Sequence, residues 1–443
     1  MISIHTVPED ASIELNGKRL KQKTPVKLPD LFPGKYTLTL FRKDLRPWKG
    51  EVWVKPNWVT RLESIILFPE KIMFQPVTDL EVRRFFLSPK AKKMILWVES
   101  GEDRGLWLLD LFLEEETFIL DESSVPGNIF VEKEIEIFWS KDERAVLIEK
   151  NKEYFLLDLK KPNRIVSLKE LLGFNPEEVA WSGKLPDAFF HLHQGTIDKY
   201  SIRQRKMEYR ILQNVQNFRY EGNFIYYIEK GTGEIRRSSE DLAEKEDLGR
   251  VPDFDPKAQY EIFVNPAAEL LSPHHQMGIW KDRSIFYDLT GSRKFEGIRN
   301  VLCNKSEREI LLVNNDKGFV LPGLVGKIKG ETEPIIISIP KGTKKIFWFD
   351  VDKFIFVSRK NANLCRPGID TDSYTQEIFS FPWRWRDVQW DERFKQLYLI
   401  EDTESLLMRV NLAQGALNKL VQNMRETMSD GLQLLYEIGK KQS

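Results

Sequence analysis

Side chains able to do chemistry are few and scattered in this 443-residue chain. Of the five histidines, His191 and His193 alternate on one strand, so both fall on one face and could share a metal. His274 and His275 follow Ser272-Pro273 in a hairpin loop. Neither pair brings a third ligand with it, and the alternatives are a solvated strand face and a polar loop. Gly368-Ile369-Asp370-Thr371-Asp372-Ser373-Tyr374 sets two carboxylates at alternate positions, as at the start of a calcium loop. The glycine and bidentate glutamate that complete such a loop do not follow, which favours a simple connection. Asn304-Lys305-Ser306 has the glycosylation-acceptor pattern, and its place in a turn accounts for it without sugar.

Nucleophile and cofactor chemistry find no motif. Ser140 and Ser182 each follow a tryptophan, but no GxSxG elbow surrounds them, and they recur at the spacing described below. Neither GxxxxGKS/T nor a strand followed by GxGxxG occurs. Cys303 and Cys365 are the only cysteines and form no CxxC pair. The expectation is a protein that is not an enzyme, with no catalytic residue, cofactor or metal.

Two segments have the composition of contact surfaces. Phe381-Pro382-Trp383-Arg384-Trp385-Arg386 alternates so that Trp383 and Trp385 share one strand face and Arg384 and Arg386 the other. Such tryptophans either stack on a sugar or anchor a protein, or they pack between sheets. Residues 1–60 hold eleven lysines and arginines against six acidic residues, an excess of five, with Lys18, Arg19, Lys21 and Lys23 closely spaced. They suit contact with an anionic surface or a solvated face. Over the whole chain the charges cancel, 67 basic against 67 acidic, which argues against a nucleic-acid partner.

The elements that carry these residues are strands. Ser12-Ile13-Glu14-Leu15 alternates and runs into Asn16-Gly17, a hairpin turn signal. Lys35 to Phe41 alternates with Tyr36, Leu38 and Leu40 on one face, Glu51-Val52-Trp53-Val54 alternates again, and Val59 to Phe68 supplies a last strand. The sum is a small β-sandwich of about 70 residues. The run Val7-Pro8-Glu9-Asp10-Ala11 through Asn16-Gly17-Lys18, then Thr24-Pro25, Leu31-Phe32-Pro33-Gly34-Lys35-Tyr36 and Arg46-Pro47-Trp48, resembles a PEGA domain over residues 1–69. Asp10 stands where that family's name-giving tetrad has glycine, and aspartate also suits a turn. The resemblance implies a structural or adhesive accessory of prokaryotic surface proteins without catalytic residues.

From residue 70 onward the chain repeats. Apolar strands end near Ser88, Ser140, Ser182, Tyr220, Asn265, Asn304, Phe349 and Asp391, and Thr427-Met428-Ser429-Asp430-Gly431 begins a partial ninth copy. The mean spacing is about 43 residues, the period of a four-stranded propeller blade. The fold class predicted is all-β: the sandwich (1–69) followed by a β-propeller (70–443), eight-bladed, with seven as the alternative if the weaker copies merge. The ninth copy either closes the ring or is truncated, and Gln414 to Met428 is either a helix or the last outer strand with its connector. Ser88-Pro89, Trp139-Ser140, Trp181-Ser182 and Ser429-Asp430-Gly431 resemble fragments of the TolB-like and dipeptidyl-peptidase-like propeller repeat. Dipeptidyl peptidases also carry a hydrolase domain, for which the few residues after Ser429 leave no room.

The expected function is a non-enzymatic binding or scaffold protein of the prokaryotic cell envelope, its propeller presenting loops to a protein or glycan partner. A channel enzyme of lyase or glycosidase type, built from several blades, and a cytoplasmic assembly platform are the alternatives. The chain starts on Met1-Ile2-Ser3-Ile4-His5 without an export signal, and no apolar run reaches membrane-spanning length. Membrane association would therefore come through a missing anchor or the basic face, and the oligomeric state is open.

Overall fold

The computed structural model describes residues 1–99, 104–121, 123, 135–161, 164–264, 277–289, 292–304, 309–321, 333–350, 353–366 and 374–412. The N-terminal part is a sandwich of two sheets. One is ordered Val26–Leu28, Ile2–Val7, Thr60–Ile66, and the other Lys18–Lys23, Ser12–Leu15, Gly34–Phe41, Trp48–Val54. Strand alternation turns Ile2, Ile4, Ile13, Leu38, Leu40, Val52 and Val54 inward to a shared core, with Tyr36 partly buried against it. Asn16 and Gly17 take φ of +51° and +78°, the hairpin geometry their types favour. Asp10, at the family's glycine position, has φ +64° and its N–H bonds the Thr24 carbonyl at 2.8 Å. Aspartate thus meets the left-handed requirement that glycine satisfies more cheaply.

The rest of the described chain forms four-stranded antiparallel units. Six are separate sheets, which open on the strands Ile135–Trp139, Glu178–Trp181, Val215–Glu221, Tyr260–Val264, Asn300–Asn304 and Thr343–Asp350. The seventh sheet has seven strands and contains two units that share the long strand Phe74–Leu87. The C-terminal half of that strand opens unit 1 by pairing with Lys93–Val98. Its N-terminal half pairs with Leu406–Asn411 and so completes the unit that opens on Trp385–Asp391. Numbered along the chain, the described strands make eight units. Each repeat anchor with described structure lies within or just after the first strand of its unit, while the partial ninth copy and Gln414 to Met428 lie outside the described residues.

The outer strand of the last unit comes from residues ahead of the first repeat. It leaves no open sheet edge between the last unit and the first. Apolar clusters fill the seams between neighbouring units, and one of them joins Val82, Phe85 and Met94 to Tyr398, Ile400 and Leu407 across the closure.

The repeated serines are explained by their turns. Ser140 Oγ accepts the N–H groups of Arg144 and Ala145 at 3.2 and 3.1 Å and donates to Asp142 at 2.8 Å. Ser88 Oγ likewise accepts from Lys92 and Lys93. In unit 8 the Asp391 carboxylate does the same for Arg393 and Phe394. A short side-chain acceptor at the end of the first strand satisfies N–H groups that the tight turn leaves unpaired.

The sandwich is fixed to this ring. Ile66 and Phe68 enter the apolar cluster of units 7 and 8, where Phe68 meets Phe349 edge-on at 6.2 Å. Leu45 bridges to Pro69, and Arg46 lies 3.9 Å from Glu377.

Candidate functional site

First strands of adjacent units run side by side, and side chains link their backbones. Trp181 Nε1 donates to the Phe138 carbonyl at 2.8 Å, Asn217 Nδ2 to the Tyr260 carbonyl at 2.8 Å, and the Phe218 N–H to Glu178 Oε2 at 3.0 Å. Gln389 donates to the Phe85 carbonyl and accepts the Leu87 N–H, across the closure. Each bond covers a backbone group that an unpaired strand edge would leave bare.

Four carboxylates gather on this inner wall from three units. Glu136 stands opposite Glu149 in one antiparallel pair, and Tyr154 stands opposite Glu149 in the next. Burial raises the Glu149 carboxyl pKa, the like charge of Glu136 adds to it, and Tyr154, Lys152 and Arg283 pull it back. Glu178 is pushed up to about 8, chiefly by burial; the Phe218 N–H and Arg219 oppose the rise, and Glu261 and Glu149 add to it. Arg283 Nε lies 3.2 Å from Glu261 Oε1. The wall therefore holds two carboxyls raised above their ordinary value beside two guanidinium groups, which is the raw material of acid–base work. Positions more than 100 residues apart meet here, so no local motif announced them.

A second polar cluster joins units 3 and 4. Ser182 Oγ bonds Glu240 at 2.9 Å, Tyr220 donates to Glu240 at 2.8 Å, and Lys199 Nζ sits 3.0 Å away. Glu240 and Lys199 are both 8% exposed. Burial alone would raise the Glu240 carboxyl, but bonds from Lys199, Tyr220 and Ser182 outweigh it and hold it below the usual value. Burial, then the Glu240 contact, raises the Tyr220 phenol. Ser182 is thus engaged in a seam.

The residues singled out by sequence fall as follows. His191 and His193 do share a face, but that face is not solvated. His191 is fully buried, its Nε2 lies 3.3 Å from Met207 Sδ, and Phe174 stacks on His193 at 4.0 Å. Burial holds the His191 pKa down to about 4, Asp198 opposes the shift, and His193 assists it. Among the described residues no group of three or more His, Cys, Asp or Glu is placed to hold a metal. Cys365 is buried and its thiol is pushed up to about 11 by that burial, and Cys303 is partly exposed. His274, His275 and residues 368–373 lie outside the described residues, as does the turn after Asn304.

Trp383 and Trp385 do not alternate on one strand, because Trp383 lies in a bend and the strand starts at Trp385. Trp385 is 8% exposed and donates from Nε1 to the Ser358 carbonyl at 3.0 Å. Trp383 packs edge-on to Phe74 at 4.3 Å, and Phe74 also meets Phe379 and Phe381. Trp383 thus packs on the start of the closing strand, and Trp385 on unit 7. Arg384 and Arg386 are exposed, and Arg386 bonds Ser405. Lys18, Arg19, Lys21 and Lys23 are all exposed on the edge strand Lys18–Lys23, where charge also discourages pairing by another chain. Arg19 lies over the Phe41 ring at 4.8 Å.

Residues 1–65 match the PEGA domain family. No curated protein matches the chain. Among solved structures, the chain is similar to the Dos1 propeller (10% identity, 77% of this chain and 95% of that one, TM-score 0.47). It is also similar to the WD40 domain of SCAP from fission yeast (11%, 78% and 99%, TM-score 0.41). A third is virginiamycin B lyase from Staphylococcus aureus (10%, 77% and 99%, TM-score 0.37). Among the described residues no helix is long and apolar enough to cross a membrane.

Proposed function

We propose that this chain is a non-enzymatic binding or scaffold protein of the prokaryotic cell envelope, an eight-bladed ring of TolB-like type that presents its loops to a protein or glycan. The observation that carries the reading is the joint between the parts. Phe68 is packed against Phe349, Arg46 lies 3.9 Å from Glu377, and the chain passes directly from the sandwich into the ring's closing strand. Such a joint holds two surfaces at a fixed separation, which is what a scaffold needs. The PEGA match at residues 1–65 supports the envelope setting. Fractionation of source cells with an antibody to the chain tests it: recovery with the envelope or outside the cell is the expected outcome, and recovery in the cytosol overturns the setting in favour of an intracellular platform.

A second reading rests on the inner wall. Glu178, held protonated near neutral pH, beside Glu149 and Glu261 is the kind of pairing that lyases and glycosidases use. If the ring is an enzyme, Glu178→Gln abolishes turnover of a glycan substrate without unfolding the chain. Turnover unchanged by that substitution removes Glu178 from the chemistry.

A further inference from the structure

The sandwich meets the ring through the end of its last strand, and its opposite end is built from the start of that strand and its neighbours. There Gly34 pairs with Val54, and Ile2 pairs with both Thr60 and Leu28. Phe32 is 84% exposed at this apex, Trp58 61%, Trp53 50% and Val59 39%. They are held, not loose. Tyr36 donates to the Phe32 carbonyl at 2.9 Å, Thr60 Oγ1 to the Trp53 carbonyl at 2.7 Å, and the Trp58 N–H reaches the Lys55 carbonyl at 3.4 Å. Exposed Lys27, Lys35, Lys55 and Arg61 surround them, with the Lys55 ammonium 5.9 Å from the Trp58 ring. Of the nearby acids, Glu51 is engaged by Lys35 at 2.7 Å and Asp30 is exposed.

We propose that this apex inserts into the interface of an anionic lipid bilayer. Phe32, Trp53 and Trp58 enter the boundary between headgroups and acyl chains, and the lysines face the phosphates. Three physical arguments converge on that occupant. Phe32 and Trp58 stand exposed in loops and Trp53 beside them near a strand end, so the apex offers aromatic surface to a deformable partner. Indole is favoured at that boundary because its ring is apolar and its N–H is not. Charge complementarity is the third: residues 1–60 carry an excess of five positive charges, and basic residues beside an apolar insertion add attraction to anionic lipid. The ring lies at the other end, so insertion leaves its loops free. The inference holds whichever partner those loops take.

The test is flotation of the full chain with vesicles of phosphatidylglycerol and phosphatidylcholine, compared with phosphatidylcholine alone. The expected result is binding to the anionic vesicles that falls at least tenfold in F32S/W58S, a loss consistent with two aromatic side chains leaving an apolar phase. K35Q/K55Q should weaken binding and flatten its salt dependence. These side chains are exposed, and an unchanged thermal midpoint of each variant verifies that the fold is intact. Absence of binding at low salt overturns the proposal. So does wild-type binding by F32S/W58S, and if K18Q/R19Q/K21Q/K23Q then abolishes binding, the contact belongs to the edge strand instead.

Discussion

Two seams of the ring share an apolar filling and differ in what is added to it. Where units 7, 8 and 1 meet, the material is aromatic: Phe74 lies among Phe379, Phe381 and Trp383, Phe381 packs on Trp385, and Phe349 stacks on Trp390 at 5.5 Å. Where units 3 and 4 meet, Ser182, Lys199, Tyr220 and Glu240 close a polar network over the stacked rings of Phe190 and Tyr220. An apolar wedge draws its strength from area and fit, and is indifferent to pH. A buried ionic network contributes little net stability while intact but is costly to break, because each removed partner strands another. The ring's weakest conditions should therefore differ from seam to seam.

The sharpest way to break the comparison is truncation in the aromatic seam. Trp385→Ala removes a buried indole that also caps the Ser358 carbonyl, and should cost about 4 kcal/mol. The loss should be read from urea unfolding and should stay constant from pH 5 to 8. Glu240→Ala leaves the Lys199 ammonium without its nearest buried counter-charge and should cost about 3 kcal/mol, with Glu240→Gln recovering part of it. A loss under 1 kcal/mol would show that water reaches the network and that the seams are alike. The wild-type contribution of Glu240 should be present above the ordinary glutamate value of 4.5 and fade as the pH falls through its lowered folded value.

Titration inside unit 3 gives two opposite slopes. His191 has a folded pKa of about 4 against 6.5 unfolded, so the unfolded chain binds the extra proton between those values. Stability should then decline on acidification from pH 6.5 to 4, by about 3 kcal/mol at 1.36 kcal/mol per unit. His191→Phe should flatten that limb. Glu178, raised from 4.5 to about 8, has the reverse sign: the folded chain holds the proton, and stability is lost as the pH climbs through that window. Glu178→Gln keeps an acceptor for the Phe218 N–H and should remove the alkaline loss. Midpoints measured across pH 4 to 9 check both limbs.

Much of this architecture was legible in the chain because its turns are chemically demanding. Ser88, Ser140 and Asp391 mark strand ends since each must accept N–H groups of its turn. Asn16-Gly17 marks a hairpin since both positions need positive φ. The alternation of Trp383 with Trp385 misled, because Pro382 and the bend delay the strand until Trp385 and turn both rings inward. The convergence of Glu136, Glu149, Glu178 and Glu261 was invisible, since the curvature of the ring and not sequence spacing brings them together. The apex was hidden for a similar reason: Phe32 and Trp58 sit in different loops, and each alone reads as an ordinary exposed residue.

The shared strand has a kinetic consequence. Gln75 and Arg409, which meet in the closing pair, are 334 residues apart in the chain. During synthesis, the half of Phe74–Leu87 that opens unit 1 finds its partner within a few residues, while the other half waits until Leu406–Asn411 is made. Sealing the ring is accordingly a late, high-contact-order event whose entropic cost depends on how much of the intervening chain has already condensed. The waiting half carries Pro76, Asp79 and Glu81, which make it a poor template for a passing strand of another chain. The nascent protein thus keeps its last bond in reserve, guarded against premature partners until its own C-terminal strands arrive.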